Sequence, residues 1–426
     1  MNQNIHSINN SSIIDEKIPK GYKKTSVGTI PEDWSVKTLG KLGEFKNGLN
    51  KSSGDFGSGQ EMVNLNDVFE KRSLNSLDSF STMVKCNQKE INEYSLKQGD
   101  VLFVRSSVKP EGVGLTTLIE EDLNDKVYSG FIIRYRDKGD DLELYYKKYC
   151  FDATYFRRKL LNYSTISANT NINQKSLEKL EVIIPSKAEQ KEIASILSVW
   201  DKAIELKEKL IEQKKEQKKG LMQKLLTGEV RLPGFGLDWK EVRLGSILKE
   251  RKETGYDHLE LLAITSRNGV VRRTEVDIKD NSSENKSKYK RILPNDIGYN
   301  TMRMWQGVSG VSKYEGIVSP AYTILKPTEK VSSDFIGHLF KLPKVINLFR
   351  RYSQGLVNDT LNLKYENLKV IKVFIPTDIR EQKSIAEILE CIDKEINTLQ
   401  RELELLKEQK KGLMQLLLTG KVRVKV

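Results

Sequence analysis

Two segments of the chain place apolar residues at alternating spacings of three and four. The second segment runs from Ile385 to Leu417 for more than four heptads, with Lys410 at the one polar position. The first runs from Ile193 to Leu225. This spacing predicts two long helices, each with a single apolar stripe of the kind that lets helices wrap around each other. The predicted stripe residues are Ile193, Leu197, Trp200, Ile204, Ile211, Leu221, Leu225, Ile385, Leu389, Ile392, Ile396, Leu399, Leu403, Leu406, Leu413 and Leu417.

Proline and glycine mark where these helices begin and end. Pro185 and Pro376 stand just before them, and Gly228 and Gly420 follow them. Proline favours the start of a helix and glycine its end, so we expect about 37 helical residues, or roughly 55 Å, in each segment.

The two helical segments are copies of one repeat. The run EQKKGLMQKLLTGEVR at Glu216–Arg231 recurs as EQKKGLMQLLLTGKVR at Glu408–Arg423. Over Glu189–Arg231 and its copy, 26 of 43 positions are identical without a gap. A weaker echo, DWSVKTLG from Asp33 and DWKEVRLG from Asp238, opens the variable stretch before each copy. The chain therefore alternates variable and repeated segments.

Each apolar stripe must be buried against a partner. We favour the other copy, because two stripes of matched length occur in one chain. The alternatives are that each helix packs on its own variable module or on a different protein. Lys207 and Lys214 fall on the first stripe, where their aliphatic stems can cross the partner while the amines reach water.

The variable modules have a mixed α/β pattern. The β-rich runs 100–104, 128–135 and 317–325 alternate with turn signals, and 142–161 and 334–352 are predicted to be helical. The predicted fold class is mixed α/β (α+β), with two globular domains separated by an antiparallel coiled coil of two long helices and related by a pseudo-two-fold repeat. The predicted segments are a disordered extension at 1–20, modules at 21–186 and 232–377, and helical regions at 187–231 and 378–426.

The basic charge of the chain lies mainly in the second module. The 426 residues include 71 Lys and Arg against 58 Asp and Glu, a net charge of +13. The four segments 1–186, 187–231, 232–377 and 378–426 carry +1, +3, +8 and +1. An excess of this size favours a polyanionic partner, either nucleic acid or an anionic membrane surface. We expect the second module to hold phosphate more tightly than the first.

The chemistry available to the chain is limited. Three cysteines and three histidines, well separated, assemble no zinc motif and no disulfide framework, so no metal is expected and a reducing cytoplasm is favoured. No apolar run is long enough to span a membrane. The chain has no Asn-Pro-Pro-Tyr/Phe motif and no Walker A loop, and Gly54–Gly59 resembles a cofactor loop only loosely. We therefore expect no catalytic residues and no cofactor bound by this chain.

With these residues identified, the chain resembles the specificity (S) subunit of type I restriction-modification systems. The resemblance rests on the phrase Pro-x-x-x-Glu-Gln-x-x-Ile-Ala-x-Ile-Leu, which begins at Pro185 and, with one extra residue after the proline, at Pro376. The run Lys-Lys-Gly-Leu-Met-Gln-x-Leu-Leu-Thr-Gly at Lys218 and Lys410 and the opening Ile-Pro-Glu-Asp-Trp at Ile30 are also similar.

The resemblance implies a DNA-addressing subunit without bond chemistry of its own. The two modules become target-recognition domains, each reading one half of a split double-stranded DNA sequence, and the helices set the unread spacer. Two methyltransferase subunits dock largely on the helices, and restriction/translocation subunits join for cleavage. S-adenosylmethionine, ATP and Mg²⁺ are expected on those partners. A cytoplasmic location and no membrane contact follow.

Candidate DNA contacts are polar loops that follow strands, because base edges are read by Arg, Asn and Gln, whereas Lys, Arg and hydroxyls contact phosphates. Any one of them also fits an ordinary solvated side chain. Trp34 and Trp239 are expected to be core anchors at the module entrances. The DNA-binding candidates are Arg105, Ser106, Ser107, Lys109, Asn169 and Asn171 in the first module, and Arg267, Asn268, Arg272, Arg273, Arg303, Trp305 and Gln306 in the second.

Two other readings remain open. A protein-assembly scaffold would use the coiled coil and leave the basic surface without a role in DNA reading. A self-contained methylase or nuclease would need the motifs that the chain lacks. Salt-dependent DNA binding distinguishes the scaffold from a DNA-addressing subunit. Binding through phosphate contacts weakens steeply with added salt, and only the DNA-addressing subunit should show it.

Overall fold

The computed structural model describes residues 18–276 and 285–426. Most of the predicted extension at 1–20 therefore lies outside the described residues. The chain divides into two compact units, Met1–Leu206 with Leu403–Val426, and Lys207–Glu402. The division falls inside both long helices. Each unit thus contains one module, the start of one long helix and the end of the other.

The first unit combines short strands with short helices before the first long helix. Its strands are β1 (Tyr22–Thr25), β2 (Gly28–Pro31), β3 (Ser35–Thr38), β4 (Gly43–Asn47), β5 (Phe56–Val63), β6 (Ser73–Leu74), β7 (Met83–Val84), β8 (Val101–Val104), β9 (Ser106–Ser107), β10 (Thr116–Ile119), β11 (Val127–Tyr128), β12 (Ile132–Asp137), β13 (Thr165–Ile166), β14 (Thr170–Asn171) and β15 (Glu181–Ile184). Its helices are α1 (Leu39–Leu42), α2 (Leu65–Glu70), α3 (Gln88–Tyr94), α4 (Lys147–Cys150), α5 (Thr154–Asn162) and α6 (Gln174–Glu178), followed by the long helix α7 (Lys187–Thr227).

A five-stranded sheet in the order β4-β12-β8-β10-β6 forms the centre of the first module. All four residues of β8 are buried, as expected for a strand covered on both faces. Smaller sheets, β11-β5-β7 and β13-β14-β9, flank it, and β1 pairs with β2. The last strand, β15, returns to pair antiparallel with β3, which follows Trp34.

The second unit has a similar organisation. Its strands are β16 (Trp239–Arg243), β17 (Leu248–Arg251), β18 (Leu262–Thr265), β19 (Gly269–Arg272), β20 (Lys290–Ile292), β21 (Ile297–Asn300), β22 (Ser309–Val311), β23 (Gly316–Val318), β24 (Tyr322–Pro327) and β25 (Lys372–Pro376). Its helices are α8 (Leu244–Ile247), α9 (Ser333–Leu339), α10 (Pro343–Tyr352) and α11 (Tyr365–Leu368), and the long helix α12 covers Ile379–Leu418.

The sheets of the second module follow the plan of the first. Four strands pair in the order β17-β24-β21-β22, with separate pairs β18-β19 and β20-β23. Here too a two-stranded sheet closes the module. Strand β16 begins at Trp239 and pairs antiparallel with β25, which lies just before α12. Both modules thus begin and end at the base of a long helix.

Several predicted elements are interrupted. The strand run at 128–135 is broken at Ser129–Phe131 into β11 and β12, and the run at 317–325 is broken into β23 and β24. The helical stretch at 142–161 separates into α4 and α5, and that at 334–352 into α9 and α10. In the second case the break precedes Pro343, which lacks an amide hydrogen and therefore suits the first turn of a helix, not its interior.

Both long helices end at glycines with left-handed backbone. Helix α7 has 41 residues and α12 has 40. Gly228 has φ +74° and Gly420 has φ +69°, a region that favours glycine. A Cβ on Gly420 would lie 2.4 Å from a Pro31 side-chain atom and 2.9 Å from one of Trp34. The end of α12 therefore packs closely on the entrance of the first module.

Each unit has one main core that includes both of its helix segments. In the first unit, Ile193 and Leu197 of α7 share a cluster with Leu417 and Leu418 of α12 and with module residues. In the second unit, Leu225 and Leu226 of α7 share a cluster with Ile385 and Leu389 of α12. Within each unit, the two helix segments pack on each other and on the module. Packing of helix on helix and packing of helix on module therefore occur together.

Candidate nucleic-acid interface

In the first module, two candidate loops lie side by side. Strand β9 (Ser106–Ser107) pairs antiparallel with β14, with Ser106 opposite Asn171 and Ser107 opposite Thr170. The amide of Ile172 also donates to the carbonyl of Arg105 at 3.0 Å. Segments more than 60 residues apart in sequence therefore form one surface at the end of β8.

A cleft of about 490 Å³ opens beside this pair of strands. Ser106, Ser107, Lys109 and Asn169 line it together with apolar side chains. Of the apolar residues, Val108 is 81% exposed and Phe131 is 59% exposed. Polar side chains interleaved with exposed apolar ones are a suitable surface for base edges, which offer both hydrogen-bonding groups and methyl groups.

Two of the first-module candidates turn partly inward. The Arg105 guanidinium donates to the Gly130 carbonyl at 3.2 Å, and the Asn171 amide donates to the Asn169 carbonyl at 3.0 Å. Ser167 also donates to the Asn169 carbonyl, at 3.0 Å. These bonds stiffen the loops, so Arg105 and Asn171 contribute to loop shape, whereas Lys109 and Asn169 are exposed.

In the second module, one group of candidates lies on the hairpin of β18 and β19. Arg267 and Asn268 are exposed at its turn, where the Asn268 amide donates to Thr265 Oγ1 at 3.0 Å. Arg272, at the end of β19, pairs with Glu260 at 3.5 Å and stacks over the Tyr314 ring at 5.1 Å. Glu260 and Tyr314 hold the Arg272 side chain along the hairpin. Arg267 and Asn268, at the turn, are therefore the more accessible candidates.

Arg273 follows directly after that hairpin. Its guanidinium donates to the Val276 carbonyl at 3.4 Å, and the side chain is half-buried. It therefore holds the short turn that leaves the hairpin.

The other group of second-module candidates lies on the turn between β21 and β22. Met304 is fully buried and anchors this turn, whereas Arg303 and Gln306 are exposed. Trp305 is half-buried, its Nε1 donates to the Met302 carbonyl at 3.1 Å, and the Arg350 guanidinium stacks over its ring at 5.9 Å. The buried Met304 thus presents its polar neighbours at the surface.

The two groups of the second module lie on elements packed against each other. A Cβ built on Gly310 of β22 would come within 2.5 Å of the Gly269 Cα in the hairpin turn. Such a close approach requires glycine at position 310, and the φ of +65° at Gly269 also favours glycine. The hairpin therefore sits directly on the strand that follows the Arg303–Gln306 turn.

The sequence interpretation overlooked one segment, 354–362. An antiparallel bridge joins Gln354 to Asn362, and the Leu363 amide donates to the Thr301 carbonyl at 2.9 Å. This bond is the counterpart of the one from Ile172 to Arg105 in the first module. The alignment of Asn171 with Asn362 at an offset of 191 was the signal that could have found it.

This overlooked segment is strongly exposed. Leu356 is fully exposed and Val357 is 61% exposed, and Asn358 and Asp359 follow at the surface. Asp359 approaches Arg303 at 3.7 Å, which places the segment beside the Arg303–Gln306 turn. In the first module Ile166, in the corresponding loop, is 74% exposed. Both modules thus display an exposed aliphatic side chain in this part of the chain.

A buried ion pair fixes the strand that leads into each surface. Asp100, just before β8, receives two hydrogen bonds of 2.6 Å from Arg136, and Asp296, just before β21, receives bonds of 2.7 and 3.2 Å from Arg251. The paired carboxylate raises the pKa of each arginine, chiefly through these hydrogen bonds. Both strands are therefore anchored at their starts, ahead of the loops that follow their far ends.

The repeated Glu-Gln phrase has a structural role at the start of each long helix. The Gln190 amide donates to the Pro185 carbonyl at 3.0 Å, and its oxygen accepts from the Glu143 amide at 2.7 Å. Gln382 makes the same pair of bonds, to the Pro376 carbonyl at 2.9 Å and from the Ser332 amide at 2.9 Å. This glutamine fastens the helix to its module.

The glutamate of the phrase joins three parts of the first unit. Glu189 is 1% exposed and accepts from Trp34 Nε1 at 2.9 Å and from Arg423 Nε at 2.6 Å. Arg423 also donates to both carboxylate oxygens of Asp33, at 3.0 and 2.8 Å. The module entrance, the start of α7 and the segment after α12 therefore meet at one carboxylate.

The second unit contains the same cluster with the repeat copies exchanged. Glu381, which is fully buried, accepts from Trp239 Nε1 at 3.3 Å and from Arg231 at 2.6 and 2.9 Å. Arg231 follows α7, whereas Glu381 begins α12. Within each unit, the end of one long helix is thus tied to the start of the other.

Further ion pairs join the two long helices within each unit. In the second unit, Lys207 pairs with Glu402 at 2.8 Å, Lys214 with Glu395 at 2.7 Å, and Lys218 with Asp393 at 2.6 Å. As the number rises on one helix it falls on the other, so the segments run antiparallel. In the first unit, Lys410 pairs with Asp201, the repeat equivalents of Lys218 and Asp393.

All sixteen predicted stripe residues are removed at least partly from solvent. Nine of them are buried: Ile193, Leu197, Ile211, Leu225, Ile385, Leu389, Ile396, Leu403 and Leu417. The other seven are half-buried: Trp200, Ile204, Leu221, Ile392, Leu399, Leu406 and Leu413.

The described parts of the chain contain no group of His, Cys, Asp and Glu arranged to hold a metal ion. None of the helices in residues 18–276 and 285–426 has an apolar stretch of the length that a bilayer crossing needs. The fold and the loops together define a duplicated protein, in which two similar modules alternate with long helices and carry polar loops at the ends of their strands.

Comparisons with known proteins find similarity to specificity subunits. Residues 31–215 match the type I restriction modification DNA specificity domain. The chain is 27% identical over 436 residues to the putative type I restriction enzyme MjaX specificity subunit of Methanocaldococcus jannaschii, covering 95% of this chain and 97% of that one. The chain is thus similar to type I restriction enzyme specificity subunits over nearly its whole length, and the family model covers residues 31–215.

Solved structures share the fold. The S subunit of a type I restriction-modification system from M. genitalium superposes with a TM-score of 0.52, at 16% identity, covering 90% of this chain and 96% of that one. A structure reported for complex assembly and conformational transition of the type I restriction-modification system gives a TM-score of 0.58, at 14% identity, covering 92% and 99%. At these identities the likeness concerns the fold alone.

Proposed function

We propose that this chain is the DNA sequence-specificity subunit of a type I restriction-modification complex, in which each module reads one half of a bipartite target. The observation that carries the proposal is the duplicated loop pair. The Ile172–Arg105 and Leu363–Thr301 hydrogen bonds build the same kind of surface at the end of a central strand in both modules. Two equivalent reading surfaces in one chain suit a target with two halves.

The long helices act as the spacer in this proposal, as an antiparallel coiled coil with a pseudo-two-fold relation between the repeats. Exchanged pairs support it, because Lys410–Asp201 and Lys218–Asp393 are the same contact with the copies reversed. Such reciprocity is the mark of a two-fold interface. Methyltransferase subunits dock largely on the helices, the restriction/translocation subunits join for cleavage, and S-adenosylmethionine, ATP and Mg²⁺ belong to those partners.

A module exchange tests the reading of half-sites. Residues 25–185 are replaced by the corresponding module of another specificity subunit, and the methylated sequence is determined in the complex with the methyltransferase subunit. We expect one half-site to change and the other to remain. A change in both half-sites, or in neither, contradicts the proposal.

A paired insertion tests the spacer role. Seven residues are added to each helix at matched positions, between Lys207 and Lys214 and between Glu395 and Glu402, so that the antiparallel register is kept. Each heptad adds about 10 Å, which corresponds to roughly three base pairs. We expect a longer spacer with unchanged half-sites, and the control is an insertion in one helix only, which should impair assembly. An unchanged spacer contradicts this role.

The alternative is a coiled-coil scaffold without sequence-specific DNA reading, and the ion pairs along the helices are its support. A complex that assembles normally but shows no preference among DNA sequences would favour this alternative.

A further inference from the structure

A basic cleft of about 710 Å³ lies in the first unit, outside the loops discussed above. The module and the last turns of α12 both contribute cations to it, and the carboxylates of Asp152 and Asp201 also line it. The six cationic residues around the cleft are Arg72, Arg157, Arg158, Lys407, Lys410 and Lys411.

Internal partners neutralise only part of this charge. Arg72 pairs with Asp152 at 2.6 Å, and Lys410 pairs with Asp201. Burial, followed by the charge of Arg72, lowers the pKa of Lys410. Arg158 and Lys411 are exposed at its rim. The cleft thus has more cations than carboxylates and a rim that faces solvent.

Arg157 gives the cleft an unsatisfied donor. Its Nη2 donates to the Glu111 carbonyl at 2.9 Å, whereas its buried Nη1 meets no hydrogen-bond acceptor among the described residues. Burial lowers the pKa of this guanidinium, but arginine keeps its charge at neutral pH. A buried donor without a partner is costly, and an incoming oxyanion would satisfy it.

The same arginine connects the cleft to the candidate interface. Glu111 lies in the turn that follows Lys109 and lines the smaller cleft beside Ser107. Helix α5, which bears Arg157, continues into the loop that contains Asn169. The basic cleft and the loop surface are therefore neighbours on one face of the first unit.

We infer that this cleft binds phosphate oxygens of the DNA backbone beside the half-site read by the first module. The inference rests on the proposed function and extends it, because it assigns a DNA contact to the end of α12 as well as to the module. Guanidinium and ammonium groups suit phosphate, and such contacts position a protein on DNA without reading sequence. The continuity with the recognition loops favours DNA over an acidic protein segment. Although the first module has a net charge of only +1, cations are concentrated at this cleft.

The test removes the two rim charges from the full-length chain. The double variant Arg158→Gln/Lys411→Gln and wild type, each in complex with the methyltransferase subunit, are compared for duplex DNA binding by fluorescence anisotropy across a range of salt concentrations. Each lost phosphate contact lowers the slope of log K against log salt by about 0.9, so we expect a slope smaller by roughly 1.8. The preference among DNA sequences should not change. Both side chains are exposed, so the fold should be retained.

A matched control removes one lysine and one arginine charge from exposed positions of α12 that lie outside the cleft. The variant Lys394→Gln/Arg401→Gln alters two exposed residues of that helix and should keep the wild-type slope. If the rim variant also keeps that slope, the cleft does not bind phosphate. Loss of methyltransferase co-elution with an unchanged slope would assign the cleft to a protein partner and overturn the inference. If the wild-type complex with the methyltransferase subunit binds no DNA, the proposed function itself is refuted.

Discussion

The carboxylate of Glu189 offers the sharpest test of how the first unit is held together. All of its partners are donors: Trp34 Nε1 at 2.9 Å, Arg423 Nε at 2.6 Å, and the hydroxyl and backbone amide of Ser186 at 3.0 and 3.3 Å. Substitution by glutamine keeps the size of the side chain but replaces one accepting oxygen with an NH₂ group. That group then faces a donor, and one charge-assisted hydrogen bond is lost.

The cost follows from the partners that remain. A hydrogen bond to a charged group contributes about 1.5–3 kcal/mol. Arg423 keeps its two bonds to Asp33, and its side chain is 41% exposed, so solvent screens part of the loss. We therefore expect E189Q to lower the free energy of opening of the first unit by about 1.5–2 kcal/mol.

Native-state hydrogen exchange of the full-length chain measures this quantity unit by unit, without assuming that the whole chain unfolds in one step. We expect E189Q to reduce protection in β8 of the first unit and to leave β21 of the second unchanged, and E381Q to do the reverse. The control is E192Q, an exposed position one turn further along α7. If the hydrogen-exchange protection of β8 is the same in E189Q as in E192Q, the cluster does not stabilise the unit and the reasoning is wrong.

Three further predictions concern separate features. Leu356→Ser should weaken DNA binding by about 1 kcal/mol, or roughly fivefold, and relax only the second half-site, whereas Leu77→Ser, another highly exposed leucine, should have no effect on DNA binding. Burial, followed by the charge of Lys218, lowers the pKa of His338 from its usual value of 6.5. When the pH falls below about 6.5, the unfolded chain therefore binds more protons than the folded one. Stability should therefore fall as the pH drops below about 6.5, and urea titrations at several pH values should show a smaller fall for His338→Asn. Gly420→Ala places a Cβ at positive φ and against Pro31, and should lower the thermal midpoint, at a cost above 1 kcal/mol; a midpoint equal to that of wild type would contradict the strain.

The candidate interface was only partly predictable from the sequence. Polar loops after strands were visible as residue types, and they led to Ser106, Lys109 and Asn169. Their pairing across β9 and β14 was not visible, because it depends on a hydrogen-bond register between distant segments. The exposed loop at 354–362 was missed, since a fully exposed Leu356 looks like any apolar residue until its surroundings are known.

The repeat itself was determined by the sequence, because identical residues at a constant offset require no structure to be recognised. So was the existence of two long helices, since a sustained three-four spacing has no stable alternative to a helix with a buried stripe. The tertiary structure decided which groups meet. Glu189 joins Trp34 and Arg423, from distant parts of the chain, and Glu381 joins Trp239 and Arg231 in the same way. Long-range contacts of this kind depend on which distant segments come together in the folded chain. The local spacing of apolar and polar residues does not determine which segments these are.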